Sequence, residues 1–239
     1  MLLIGRAMAT LRSRRSTARE VRRAGEFQQL AVHTLATAPD AYLRKTRARL
    51  APQAAMVIGN AVRATELLRR LTDPMSTMPP WRILAPPPPR ELRGYYRAAQ
   101  RSFGVPWTYL AAIHLVESRM GRIRGPSTAG ARGPMQFLPS TWDLYGAGGD
   151  INDPHDAILA AARLLVDNGA PGDMAGALYH YNPSSYYVRA VTAFARTIER
   201  APYTYRGYWH WRVLFRHERG TYVLPRGYPR ERPVPLARG

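Results

Sequence analysis

The stretch "PMSTMPPWRILAPPPPR", residues 74 to 90, constrains the fold more than any other part of the chain. Consecutive prolines lack N–H donors and hold the backbone extended, so neither helix nor central strand can pass through it. The 239-residue chain is therefore expected to break into an N-terminal part, residues 1–78, a proline-rich linker, 79–90, and a main domain beyond it.

Both sides of the break carry helical punctuation. In the Arg- and Ala-rich residues 1–78, Thr17 with Glu20 forms a capping box, Asp40 is a candidate cap for a second helix, and Pro52 suits the first turn of a third. Beyond the prolines, a helix is expected over about 90–102, with Leu92, Tyr95, Ala99 and Phe103 on one face. The next enters through Pro106 and stops at Gly121. Residues 122–139 are dense in Gly, Pro, Ser and Thr and read as a long structured loop. Further helices fit about 141–145, 154–168 behind the Asp153-Pro154 cap, 173–181 and 184–199. "YWHWRVLFR" and "TYVLP" around "HERG" suggest a small hairpin, packed as a lid over the helices, in a C-terminal segment of 201–239. The fold class is mainly α, with the main domain at 91–200.

Composition removes several chemistries. There is no cysteine, which excludes disulfides, thiol nucleophiles and Cys-based zinc sites. No HExxH occurs and the histidines lack ligand spacing, so no metal or cofactor is expected. "GGDINDPHD" at 148–156 faintly resembles a calcium loop through Asp150, Asn152 and Asp156, but it lacks the loop's Gly and terminal Glu and reads as a loop and helix cap. No apolar run reaches the roughly 18 residues of a membrane span. "MLLIG" is too short for the apolar core of a secretory signal and precedes its arginines, so no export signal is expected in it. The net charge of +19, carried by arginines apart from Lys45, attracts polyanions of any kind, including acidic polymers of a cell envelope, and does not choose among them. No specific nucleic-acid partner is expected, because Phe27 is the one aromatic residue of the basic N-terminal stretch before Tyr42, too few for a base-stacking series.

The informative residue is Glu117. In "YLAAIHLVESRMG", residues 109–121, Leu110, Ile113 and Glu117 follow the spacing i, i+3, i+7, which puts a carboxylate in line with two residues that favour burial. Other acids of the domain fall in first turns, in a Gly loop or near helix ends. An ion pair with Arg119, Arg122 or another arginine would explain Glu117 structurally. A carboxyl buried without such a partner would hold its proton near neutral pH and could donate it to a leaving oxygen. "STAGARGPMQFLPSTW" at 127–142 and "ALYHYN" at 177–182 supply the hydroxyls, amides and aromatics from which a sugar-binding cleft is made.

Glu117-Ser118, then "GPMQFLP" at 133–139, then "ALYHYN" at 177–182, resemble in order the Glu-Ser, Gly-Leu-Met-Gln and Ala-x-x-x-Tyr-Asn motifs of the soluble, lysozyme-like lytic transglycosylases. "GPMQFLPSTW" and "DPHDAILAAARLL" are especially similar to the actinobacterial branch. The resemblance covers about 81–200, with Pro134 in place of the commoner Leu, and leaves residues 1–78 outside. It implies a lysozyme-like helical domain and cleavage of the β-1,4 bond between N-acetylmuramic acid and N-acetylglucosamine in peptidoglycan. One glutamate, Glu117, would act as acid and then as base, leaving 1,6-anhydro ends.

On the same resemblance, Ser118 and Ser127 would tie down the loop or the glutamate, Met135, Gln136 and Phe137 would border the sugar subsite, and Tyr181 and Asn182 would orient the carboxylate or the acetamido group. The partner would be peptidoglycan strands, the enzyme a monomer, and its place the cell envelope or the exterior. Two rivals are a muramidase of the goose-lysozyme kind, which would deliver water instead, and a non-catalytic basic binder of wall or nucleic acid.

Overall fold

A computed structural model describes residues 3–236. Eleven helices run in chain order: α1 (Leu3–Arg12), α2 (Ala18–Thr37), α3 (Asp40–Ala48), α4 (Pro52–Arg69), α5 (Pro89–Phe103), α6 (Trp107–Ser118), α7 (Pro139–Tyr145), α8 (Pro154–Asp167), α9 (Met174–Tyr181), α10 (Ser185–Arg200) and α11 (Thr204–Trp209). Five short strands accompany them: β1 (Arg82–Ile83), β2 (Ile123–Arg124), β3 (Val213–His217), β4 (Gly220–Leu224) and β5 (Val234–Pro235). The expected mainly α fold with a small C-terminal hairpin is what the chain forms. None of the described helices is long and apolar enough to cross a membrane.

Local sequence explains most helix starts. Thr17 and Glu20 close the capping box on α2, with Glu20 Oε2 accepting from Thr17 N at 2.7 Å. Asp153 caps α8 by accepting from the N–H groups of His155 and Asp156, and Asp173 and Ser184 cap α9 and α10. Asp40 differs from expectation. Pro39 occupies the cap position, and Asp40 is the first helical residue, making no side-chain cap bond. There its charge still faces the positive end of the helix.

The central element is α6, buried on nearly every side, with Leu110, Ala111, Ala112, Ile113 and Leu115 fully enclosed. Such a helix sits inside the bundle rather than on its surface. It packs on α10 and α5, α5 packs on α8, and α10 lies along α4. On α5, Tyr95 lies at the edge of the buried face and donates to Glu91 Oε1 at 2.8 Å.

 The three buried side chains there are Leu92, Tyr96 and Ala99, so Tyr96 takes the core place expected of Tyr95.

The proline-rich stretch is mostly at the surface, with Pro79 and Ile83 buried, yet buried residues from Ala7 to Trp211 form one continuous apolar cluster that includes α1, α2 and α4. Polar ties reinforce it. Asn60 on α4 donates to Thr197 Oγ1 on α10 at 3.0 Å. The Gln29 amide on α2 exchanges two 2.7 Å bonds with the backbone of Arg212, in the manner of one rung of a sheet.

After α11 the chain forms the hairpin β3–β4, paired from Val213↔Leu224 to His217↔Gly220, with β5 added along β4. Tyr208 and Trp209 belong to α11 rather than to the strand. A smaller cluster of Ile83, Val213, Phe215, Leu224 and Tyr228 seats this sheet against β1. Arg216 of β3 reaches back to α4, where its Nη1 donates to the carbonyls of Arg69 at 2.7 Å and Thr72 at 2.8 Å. A guanidinium there satisfies carbonyls that the end of a helix leaves open.

Candidate active site

Glu117 stands in the last turn of α6, where the chain turns sharply. Arg119, Met120 and Gly121 have φ of 53°, 61° and 82°, and two of these are side-chain-bearing residues in the left-handed region. Each such residue costs on the order of 1–2 kcal/mol. The turn is held nonetheless, because Met120 N–H donates to His114 O at 3.0 Å, Gly121 N–H donates to Ser118 Oγ at 3.0 Å, and the Met120 side chain is fully buried. The reversal leaves Glu117 at the mouth of the bundle.

A cleft of about 580 Å³ opens over it. One wall is the end of α4 with the residues after it, Leu68 to Thr72; another is the end of α6; the third is the α9–α10 junction, with Asn182, Ser184, Tyr186 and Tyr187. Glu117 is the one carboxylate among the lining residues. A volume of this size suits a small ligand or a sugar or two of a longer chain.

The arginine explanation of Glu117 does not hold among the described residues, whose ion pairs are Arg63–Glu66 and His155–Asp156. Arg119 also lines the cleft but is engaged elsewhere, donating to Leu115 O at 2.9 Å and lying over Trp211. Arg122 donates to Arg119 O at 3.1 Å and lies over Trp209. The partner of Glu117 is Tyr187, whose hydroxyl donates to Oε1 at 2.6 Å. Oε2 makes no hydrogen bond within the described residues, so it is the oxygen left for a ligand. Burial raises the carboxyl pKa to about 7, against the smaller lowering effect of the Tyr187 bond. At neutral pH the group is thus divided between acid and base forms.

The three sequence motifs meet through backbone atoms. Ser118, fully buried, donates its hydroxyl to Pro134 O. Tyr181 donates to Met135 O at 2.6 Å and stacks on Tyr187 with ring centroids 6.2 Å apart. Between these anchors residues 133–136 form a tight turn closed by the Arg132↔Phe137 bridge. A side chain at Gly133, where φ is 74°, would collide with the backbone of Ile151.

Among the residues expected to touch sugar, Asn182 lines the Glu117 cleft. Met135 and Phe137 are enclosed in the core. Gln136 donates to Gly133 O at 2.9 Å within its own turn, and Ser127 Oγ accepts from Ala131 N–H in the preceding loop. Sequence reading missed Tyr187, Arg70 and the rest of the α4 wall. The buried stripe of Tyr187, Val191, Phe194 and Ile198 on α10 was a signal that one tyrosine of the Tyr186-Tyr187 pair points inward.

Asp153, His155 and Asp156 place ligand-type atoms close together. Their carboxylates are already engaged in capping α8 and in accepting from Asp150 N–H at 3.0 Å.

Comparison with known proteins agrees with this geometry. Residues 94–196 match the family model of the Transglycosylase SLT domain. The chain is also 36% identical, over 76 residues, to the membrane-bound lytic murein transglycosylase F of Thiobacillus denitrificans. That match takes in 32% of this chain and 16% of the relative, so the chain spans a minor part of the relative's length. No solved structure matches the chain. Glu117, the Gly133–Gln136 turn and Tyr181-Asn182 all lie within the residues, 94–196, that match the Transglycosylase SLT domain.

Proposed function

We propose that this protein is a peptidoglycan lytic transglycosylase acting in the cell envelope, with Glu117 as its single acid and base. The observation that supports this most is one sheltered carboxyl in a cleft with no second acid among its lining residues. Most glycosidases work with two carboxylates, one as acid and the other as base or nucleophile. A lone carboxyl must perform both proton transfers.

The reaction then runs in two steps. Protonated Glu117 gives its proton from Oε2 to the glycosidic oxygen as the bond to muramyl C1 breaks, and the sugar's N-acetyl oxygen stabilises the cation at C1. The resulting carboxylate takes the proton from the C6 hydroxyl of the same sugar, whose oxygen bonds to C1 and closes the 1,6-anhydro ring. The proton returns to Glu117, and no water is consumed. An oxygen already attached to the ring reacts at high effective concentration.

Tyr187 holds Oε1 so that Oε2 faces the ligand. Asn182 and Ser184 offer polar groups to the acetamido and hydroxyl groups of the sugars, and Tyr186, with Arg70 5.8 Å over its ring, offers a flat apolar face. Ser118 and Tyr181 act by fixing the Gly133–Gln136 turn beside the site.

Purified murein digested with this protein and weighed by mass spectrometry tests the reading. Fragments one water lighter than the hydrolytic products are expected. Hydrolytic fragments would assign a muramidase instead, and intact murein would remove the enzymatic reading.

A further inference from the structure

A second cleft, of about 640 Å³, lies away from Glu117 and shares no lining residue with its cleft. It forms where the start of α2, the stretch after β1, the α11–β3 link and the end of β4 come together. Its charged lining is Arg19, Arg22, Arg122, Arg212 and Arg226 against Glu26. None of these six makes an ion pair among the described residues.

Arginines are spread over the whole surface of a chain with a net charge of +19, so number alone means little. Three features set this group apart. First, the cleft is concave, and its arginines come from parts of the chain far apart in sequence, so folding gathers like charges against their repulsion; a concave, low-dielectric wall also focuses their field. Second, Arg122 is half-buried and already in place. Its Nη1 donates to Arg119 O at 3.1 Å and its guanidinium lies 5.2 Å from the centroid of Trp209, whose own Nε1 is fixed to Pro87 O at 3.0 Å. Burial, and then Arg119, pull the Arg122 pKa down to about 10 against the smaller opposing effect of Glu26, which marks a cation that has lost more water than the one acid of the cleft makes good. Third, His210 in the same lining is held down to about 4, by burial first and then by Arg122, Arg22 and Arg206. That side chain stays neutral and adds no charge, but it registers the positive field.

The form of the ligand follows from the donors. One carboxylate is satisfied by a single guanidinium fork, whereas several forks approaching from different elements suit a tetrahedral oxyanion with more charge and more oxygens. Ile83, Val213 and Leu224 give the cleft an apolar floor for whatever carries that group.

We propose that this cleft is a second ligand site, for a phosphate monoester or diester, with Arg122 as its fixed anchor and Arg22, Arg212 and Arg226 as mobile arms. It is independent of whether Glu117 cleaves murein.

Calorimetric titration of the full chain at constant ionic strength tests it, with inorganic phosphate, a glycerol phosphate oligomer and dihexanoyl phosphatidic acid as probes. Saturable binding of at least one probe at a single site is expected. The Arg22→Gln/Arg212→Gln/Arg226→Gln variant should weaken it by about tenfold or more, while Arg101→Gln/Arg189→Gln/Arg196→Gln, equal in net charge, should leave it unchanged. All six side chains are exposed, so both variants should melt as the parent does. Tighter binding of the oligomer identifies a phosphodiester polymer as the source, tighter binding of the lipid a headgroup, and equal binding of all three the free anion. Absence of saturable binding, or equal weakening in both variants, would overturn the site in favour of diffuse surface charge.

Discussion

Two ionisable side chains stand one turn apart on α6, His114 and Glu117, and each meets a tyrosine hydroxyl at 2.6 Å. Burial drives both toward their neutral forms. It lowers His114 to about 3 and raises Glu117 to about 7. The difference between them is access. His114 is sealed behind Tyr96, Met120 and Gly121 and is fully buried, whereas Glu117 keeps one oxygen toward a cleft. Desolvation alone makes a silent group. Desolvation at the floor of a cleft makes a proton donor with a pKa near the working pH.

The largest effect should come from Glu117→Gln. Murein turnover is expected to fall by about 10³-fold, since the proposed mechanism places both the acid and the base step on this group. The same variant should be more stable than the parent above neutral pH. The folded pKa of about 7 lies above the ordinary 4.5, so the native state binds this proton more tightly, and the parent loses stability as pH rises from 4.5 to 7. Replacing the group removes that loss, a gain of about 1–2 kcal/mol at pH 8 once the water in the cleft is allowed for. Melting curves at pH 5 and pH 8 measure it, and an equal response of both proteins at the two pH values would break the contrast with His114.

Next in size is His114→Leu. It takes the His114 nitrogen from the buried Tyr96 hydroxyl, leaving it the weak Met120 Sδ contact at 3.5 Å, and should cost about 1–3 kcal/mol in denaturant unfolding, with turnover per folded molecule unchanged. Adding Tyr96→Phe should return much of the loss. A fall in turnover with stability intact would show that His114 takes part in the chemistry.

Tyr187→Phe is expected to act more mildly. Its hydroxyl lowers the Glu117 pKa, so its loss should move the alkaline limb of kcat/KM further above 7 and slow turnover by about three- to tenfold. An unmoved limb would contradict the pairing. The smallest effect belongs to Arg216→Gln, which frees the carbonyls of Arg69 and Thr72 behind the α4 wall. KM should rise about two- to threefold, the scale of one lost hydrogen bond partly replaced by water, with kcat unchanged.

Much of this was legible in the sequence where the cause is local. The capping box at Thr17 and Glu20, the Asp153 cap and the interruption of an apolar stripe by Glu117 all follow from spacing within one or two turns. What spacing could not decide was phase and partnership. Tyr95 and Tyr96 both fit a helical period with Leu92 and Ala99, and it is the space beside His114 that selects Tyr96. Tyr187 lies 70 residues from Glu117, and nothing near either one announces the pairing. The α4 wall was equally hidden, because residues 1–78 lie outside the motifs and the proline run reads as a break, although Asn60, Gln29 and Arg216 tie the two sides together. Ser118 and Met135 stood out as motif residues, and the structure shows one donating to the Gly133–Gln136 turn and the other accepting within it through its backbone.

The central claim is that shelter keeps a proton on Glu117. Side-chain carboxyl ¹³C NMR of the glutamates, with Glu117→Gln to assign the resonance, measures this directly across pH 3 to 9. A midpoint near 7 is predicted, and one near 4.5, the value of an ordinary exposed glutamate, would contradict the account.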